Sequence, residues 1–386
     1  MLKTVKILIA MFSISFVCPQ TDFLLINEDI KLPKNNTISK TLISSLNSFL
    51  LNVQNTTDNN PFVFEKEKIE TLLLLEEMEN IGKNDVFKDT NFYKPYLTNV
   101  VLLDTNDYLI QISYIGVKEN KAILKAVFEL IAHQTGDTFQ FSSPLIKNTL
   151  EWKIKKVGNN VFHYKNKINH KNTEEFNELV SFYDSKLKPK NKRNDIYCSG
   201  NLQELLKLIG VIYLLDYNGK SRGNTSAILG DRKVSLIGNN LNFNEFDPHD
   251  LWHDRLSLVM PRNKVNRAVD EGCAYYYGGS WGLTWKEIFD AFKKQIVNQK
   301  PDWTVVKEKR MNFKTNGYNN AADYIVNALL IKKIENEKGF SGIWKLLNCG
   351  PYEKGNKRYY KTLQELTGIT KETYNMNVWK LINNEK

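Results

Sequence analysis

His249-Asp250-Leu251-Trp252-His253, followed eighteen residues later by Glu271 within Val269-Asp270-Glu271-Gly272-Cys273-Ala274-Tyr275-Tyr276, decides how the C-terminal half of this chain is read. On a helix, positions i and i+4 lie on one face, so two imidazoles at that spacing reach a single metal ion. A carboxylate from a second helix completes a His₂Glu set of zinc-ligand geometry. The fourth tetrahedral position is then left to a water whose pKa the metal lowers toward ~7. The chain has five His, and a bare pair four apart also occurs in packed helices. The added weight comes from a Glu at the interval of a second helix, followed by Gly272 and Ala274, which let that helix pack closely. His163 and His170 match no ligand spacing and are expected as ordinary surface or core His.

Together HDLWH and DEGCAYY resemble the gluzincin zinc metallopeptidases, the thermolysin-like and aminopeptidase-like clan. Their pattern is HExxH, a spacer of roughly twenty residues and a Glu, often as NEGxA. The resemblance implies His249, His253 and Glu271 as zinc ligands, a thermolysin-like domain that is mostly helical with a small sheet, and a peptide or protein substrate. Its specific part covers 247–279, with a looser likeness from about 172 to 347. Two positions depart from the pattern. Asp250 stands where the family carries its general-base Glu; one methylene shorter, it withdraws the carboxylate by ~1 Å from a contact needing about 2.6–3.2 Å. A misplacement of that size costs on the order of 10²-fold in rate. Tyr275 stands where thermolysin-like members carry an Asp that orients a His, so that partner must come from elsewhere. No His follows His253. Tyr318 is therefore the candidate for assisting the tetrahedral intermediate, with Tyr324 next; both also fit as core aromatics.

A length of 386 residues suits two domains, and 42% hydrophobic with 12% aromatic residues suits packed cores rather than disorder. The net charge of +10 comes from Lys spread along the chain. Only 186–193 (Lys186-Leu187-Lys188-Pro189-Lys190-Asn191-Lys192-Arg193) gathers cations. With Pro189 inside it, this run reads as a solvated loop, and no nucleic-acid partner is expected.

At the N-terminus, Lys3 and Lys6 precede an eleven-residue apolar run over 7–17. That run is too short to span a membrane and right for a cleaved secretory signal. A secreted or periplasmic mature chain without a transmembrane helix is the expectation. Bulky Phe16 and Val17 precede Cys18 where a lipidation box needs small residues, so lipid anchoring is not expected. Cleavage near Gln20 would leave Cys198, Cys273 and Cys349, enough for one disulfide whose pair the sequence does not choose. Cys273 reads as a small buried residue.

Helical periodicity over 37–51 and 66–78 is followed by apolar runs at 99–103, 108–114, 122–128 and 152–157, each ended by Asp, Asn or Gly. The order predicts an α+β chain: a signal over 1–20, N-terminal helices plus an antiparallel meander over 21–170, NTF2-like or cystatin-like by element order, and the gluzincin-like domain over 171–386. In that second part, helices are expected over 172–186 and 202–209. Apolar 211–215 follows, then short strands at 227–229 and 233–237. In the gluzincin clan an edge strand just before the zinc helix accepts an extended peptide, and the 227–237 pair fits that place, or an ordinary hairpin. The zinc helix should start at Asp247-Pro248, the Glu-bearing helix should span 265–277, and a Thr284/Glu287 capping box should open another; 318–335 and 339–347 read as further helices.

The leading functional expectation is a secreted zinc-dependent peptidase, with Asp250 as a displaced base. The alternative is a catalytically inactive, peptidase-derived binding or scaffold protein at the cell surface or in the periplasm. A basic adhesion module has only the net charge behind it.

Overall fold

Apolar residues spaced by three and four make the first helix amphipathic: Leu42, Leu46, Phe49, Leu50 and Val53 are all buried. A computed structural model of the chain describes residues 23–55, 59–191, 193–217 and 223–385. The signal-like segment 1–20 and Lys192 of the basic run lie outside the described residues. The chain is α+β with several sheets and divides into two units: one holds the described residues up to Ile146 and those of 206–219, the other those of 147–205 and from 220 onward.

The first unit begins with strand β1 (Leu25–Ile26) and helices α1 (Asn36–Asn55) and α2 (Lys68–Met78). The antiparallel run β2 (Lys94–Leu102), β3 (Asp107–Lys118), β4 (Lys121–Thr135) and β5 (Thr138–Ser142) follows. Alternation puts Tyr108, Ile110, Ile112 and Tyr114 of β3, with Phe128, Leu130 and Ala132 of β4, in the core. The β4–β5 turn is only two residues long, with Gly136 at φ +61°, so β5 folds straight back onto β4. The meander expected from sequence is therefore completed by 138–142 and not by 152–157.

After a short helix α3 (Leu145–Asn148), residues 152–157 supply β6 (Lys153–Val157). A second tight turn, through Gly158, ties β6 to β7 (Asn160–Tyr164). Helix α4 (His170–Leu187) is capped by the Asn169 side chain, and β8 (Arg193–Cys198) then pairs in parallel with β7. Pairing of the hairpin with β8 moves the boundary from 170 to Ile146. Helix α5 (Leu202–Leu208) leads to β9 (Val211–Leu214), which returns to the first sheet and pairs antiparallel with β4. The 211–215 run, expected in the second domain, is thus a strand of the first. Strands β10 (Asn224–Leu229) and β11 (Arg232–Ile237) form the expected hairpin and complete a mixed sheet in the order β10-β11-β8-β7-β6, with β10 on its edge.

The remainder is helical: α6 (Pro248–Ser257), α7 (Arg267–Gly278), α8 (Trp285–Ile296) and α9 (Trp303–Glu308), then the hairpin β12 (Asn312–Thr315) and β13 (Tyr318–Ala321), and finally α10 (Ala322–Lys338), α11 (Phe340–Leu347), α12 (Lys357–Thr367) and α13 (Tyr374–Asn384). The capping box expected at Thr284 and Glu287 is present at the start of α8. Helix α10 is apolar on most sides, burying Ile325, Val326, Leu329, Leu330, Ile331 and Ile334, as a central helix must. It starts four residues later than expected, because 318–321 pair with β12. Among the described residues the three cysteines are free, and no helix is long and apolar enough to cross a membrane.

Candidate metal centre

Helix α6 starts where the sequence places it: the Asp247 carboxylate accepts the His249 amide at 2.9 Å and Pro248 occupies the first turn. Helix α7 is capped by Asn266, whose side chain accepts the Val269 amide. Two glycines set how closely α7 meets its neighbours. A Cβ on Gly278 would lie 2.7 Å from the Pro248 carbonyl carbon and 2.8 Å from the His249 nitrogen, and a Cβ on Gly272 would lie 2.8–2.9 Å from Asn327 and Ala328 of α10. Arg255, buried near the end of α6, donates two hydrogen bonds of 2.8 and 2.7 Å to Asp184 of α4. Lys233 of β11 pairs with Asp254. The zinc helix predicted from sequence is thus fixed on three sides.

His249, His253 and Glu271 come together. His249 Nε2 lies 3.2 Å from His253 Nε2 and 3.4 Å from Glu271 Oε2, and His253 Nε2 lies 3.8 Å from that same oxygen. The circle through these three atoms has a radius of about 2.0 Å, which fits the ~2.0–2.2 Å at which His nitrogen and carboxylate oxygen would hold a zinc ion. All three side chains are largely buried.

The hydrogen bonds behind the rings fix their tautomers. His249 Nδ1–H donates to the Gly279 carbonyl at 2.9 Å, and His253 Nδ1–H donates to Asp270 Oδ1 at 2.9 Å. A carbonyl and a carboxylate only accept, so in the neutral rings each proton sits on Nδ1 and each Nε2 presents a lone pair. Two imidazole lone pairs and a carboxylate oxygen therefore face one another, a donor set that requires a cation or a proton among them. Burial alone would lower the pKa of His249, but the Glu271 carboxylate and the Gly279 carbonyl outweigh it and raise the pKa above the usual value. Burial alone would raise Glu271, and His249, His253 and Arg267 outweigh it and lower it.

Sequence reasoning missed Asp270, which supplies the orienting carboxylate absent at Tyr275. It also accepts Trp252 Nε1–H at 3.0 Å, which holds it on the His253 side of α7. The adjacent acidic pair Asp270-Glu271 was the available signal: neighbours on a helix diverge by about 100°, so one carboxylate can face the ion while the other faces a ligand ring. Tyr275 packs its ring edge-on against His249, at 4.9 Å between centroids, and burial together with Glu271 pushes its hydroxyl up to about 12.

Asp250 is exposed and, among the described residues, has no hydrogen-bond or ion-pair partner. Tyr318 lies on β13 rather than on a helix, half-exposed and stacked on Trp281. Tyr324 sits in the first turn of α10, where burial and the negative charge of Glu271 raise its hydroxyl pKa. His163 is held by Asp195 and stacked on Tyr197, and His170 opens α4, both apart from the triad. No protein-family model matches the chain, and no curated protein matches it.

Proposed function

We propose that this chain is a secreted, zinc-dependent peptidase-like protein of gluzincin type, with the ion held by His249, His253 and Glu271. The observation that carries the reading is the convergence of three lone-pair atoms within 3.8 Å, with both imidazoles locked into the Nε2-donor tautomer. When bound, such an ion polarises a peptide carbonyl and lowers the pKa of a coordinated water toward ~7. Asp270 and the Gly279 carbonyl orient the ligand rings. Tyr324, within electrostatic reach of Glu271, takes the assisting role assigned to Tyr318 on sequence grounds. Asp250 is the general base, with a shorter reach than Glu. The edge strand β10 is the place for an extended peptide backbone to add. Export rests on Lys3, Lys6 and the apolar run 7–17.

The exposure of Asp250 and its lack of partners favour a second reading, a binding protein that keeps the metal without turnover. Metal analysis of the purified protein, followed by hydrolysis of a broad peptide library by wild type, Asp250→Glu and Asp250→Asn at saturating zinc, tests both. The peptidase reading expects about one zinc per chain. It also expects slow hydrolysis that rises up to ~10²-fold in Asp250→Glu and disappears in Asp250→Asn. Zinc-loaded but inert forms of all three support the binding reading, and full zinc in His253→Ala refutes the metal assignment.

A further inference from the structure

Two large aromatic rings stand half in solvent on segments linked to the triad. Trp281 is 51% exposed and Tyr318 48%, and their rings lie flat on one another, 4.5 Å between centroids and 2° from parallel. They come from separate elements: Trp281 from the turn between α7 and α8, Tyr318 from the first position of β13. The turn is continuous with the site, because Trp281 follows two residues after Gly279, whose carbonyl holds His249. The hairpin is joined to the site as well. The Asn320 side-chain oxygen accepts both Trp281 Nε1–H at 3.2 Å and the Tyr275 hydroxyl at 2.7 Å, and the Tyr275 ring packs against His249. The link from the pair to the His249 imidazole runs through the Asn320 amide and the Tyr275 ring.

The fold carries two costs to hold these rings. Trp281 has φ +55°, a left-handed conformation that a bulky residue adopts only under compensation. Asn320 is 2% exposed and its Nδ2 is buried without a partner, while its oxygen serves both aromatic donors. Here the strained, hydrogen-bonded frame keeps them half in water.

We propose that Trp281 and Tyr318 form a specificity-determining shelf that seats an aromatic side chain of a peptide bound at the His249–His253–Glu271 centre, an inference that rests on the metallopeptidase reading. The occupant follows from the surface: a flat apolar face with an indole edge selects a flat apolar partner, and the link through Asn320 and Tyr275 to His249 makes that partner a residue close to the bond under attack.

The test needs no turnover. Calorimetric titration of the zinc-loaded full chain with acetohydroxamate reads the metal centre alone. Titration with peptide hydroxamates carrying Phe or Ala at each of the two positions nearest the hydroxamate reads the shelf. Wild type should bind the Phe form about tenfold more tightly than the Ala form at one of the two positions. Trp281→Ala and Tyr318→Ala should each bring that ratio close to one while acetohydroxamate affinity stays unchanged. Tyr318→Ala guards against a Trp281 change that disturbs the Gly279 turn. A preference that survives both substitutions, or equal binding of Phe and Ala forms to wild type, overturns the shelf and leaves the metal centre standing. Failure of wild type to bind acetohydroxamate overturns the metal reading and the shelf with it.

Discussion

Gly278→Ala sets helix propensity against packing, and the two predict opposite signs. Gly278 ends α7, and replacing a helical Gly by Ala ordinarily stabilises by about 0.5–1 kcal/mol. Here the new methyl would sit 2.7 Å from the Pro248 carbonyl carbon and 2.8 Å from the His249 nitrogen. Carbon contacts settle at about 3.5 Å, so the first turn of α6 must retreat by roughly 0.8 Å. Both obstacles are backbone, and no side chain can swing aside to relieve them. Overpacking of that kind costs about 1–3 kcal/mol, more than the propensity gain, so the net effect is a loss of ~1–2 kcal/mol. Melting should then fall by about 2–6 °C. The retreat also carries His249 away from Glu271, and since ligand distances tolerate only about 0.2 Å, zinc affinity should drop by on the order of tenfold or more. Thermal melts and chelator competition measure the two effects. Gly223→Ala is the control, since its methyl would meet nothing nearer than 4.0 Å. A Gly278→Ala protein as stable as wild type and with unchanged zinc affinity would refute the claim that this contact sets the geometry of the centre.

Asp270→Asn should weaken zinc binding by about 10–100-fold while leaving the three ligands in place; an affinity within twofold of wild type in a chelator competition would remove Asp270 from the site. The pH dependence of stability should change sign with the metal. In the metal-free protein His249 is raised above its unfolded pKa of about 6.5, so its contribution is complete below that pH and is lost as pH rises through the folded value. Glu271 is lowered, so its contribution is present above an unfolded pKa of about 4.3 and is lost as pH falls through the folded value. Zinc must displace the proton from His249, so the gap between melts with and without zinc should widen from pH ~5.5 to ~8; a gap independent of pH would show that zinc binds elsewhere.

Helices α1, α2, α6, α7 and α8 were legible because periodicity, caps and a capping box all agreed along one stretch of chain. The triad was legible for the same reason, since an i, i+4 pair and a Glu on the next helix are local signals. What escaped was set by pairing at a distance. Residues 152–157 have strand character, but only partnership with β7 and β8 decides which sheet they join, and 211–214 return to the first sheet through a ladder with β4 that nothing near Val211 announces. The β5 segment Thr-Phe-Gln-Phe-Ser is only five residues long, and the two-residue Gly-Asp turn before it is what folds it onto β4 as a strand. Tyr318 was read into a helix because Tyr-Asn-Asn-Ala continues the apolar spacing of α10, and pairing with β12 overrides that spacing. Asp270 escaped for a different reason: a carboxylate that orients a ligand ring has no spacing rule of its own and is found only once His253 has a direction.

On the proposed reading, the site separates two properties that the HExxH pattern normally delivers together. Holding a cation depends on His249, His253 and Glu271 and on the groups behind them, Asp270 and the Gly279 carbonyl; each is buried or hydrogen-bonded, and none is one methylene short. The frame has a further reason to select a cation. With both Nδ1 protons committed, the Nε2 atoms face each other at 3.2 Å with lone pairs directed inward, an arrangement that repels unless positive charge lies between them. In the proposed enzyme, turnover rests instead on Asp250, which lies one step round the same helix, exposed and, among the described residues, without a hydrogen-bond or ion-pair partner. A substitution there alters neither the ligand geometry nor the tautomers of the rings. On that reading metal retention and catalysis are lost or restored independently, so zinc content by itself would support the centre without deciding between an enzyme and a binding protein; the response of hydrolysis to Asp250→Glu would decide that.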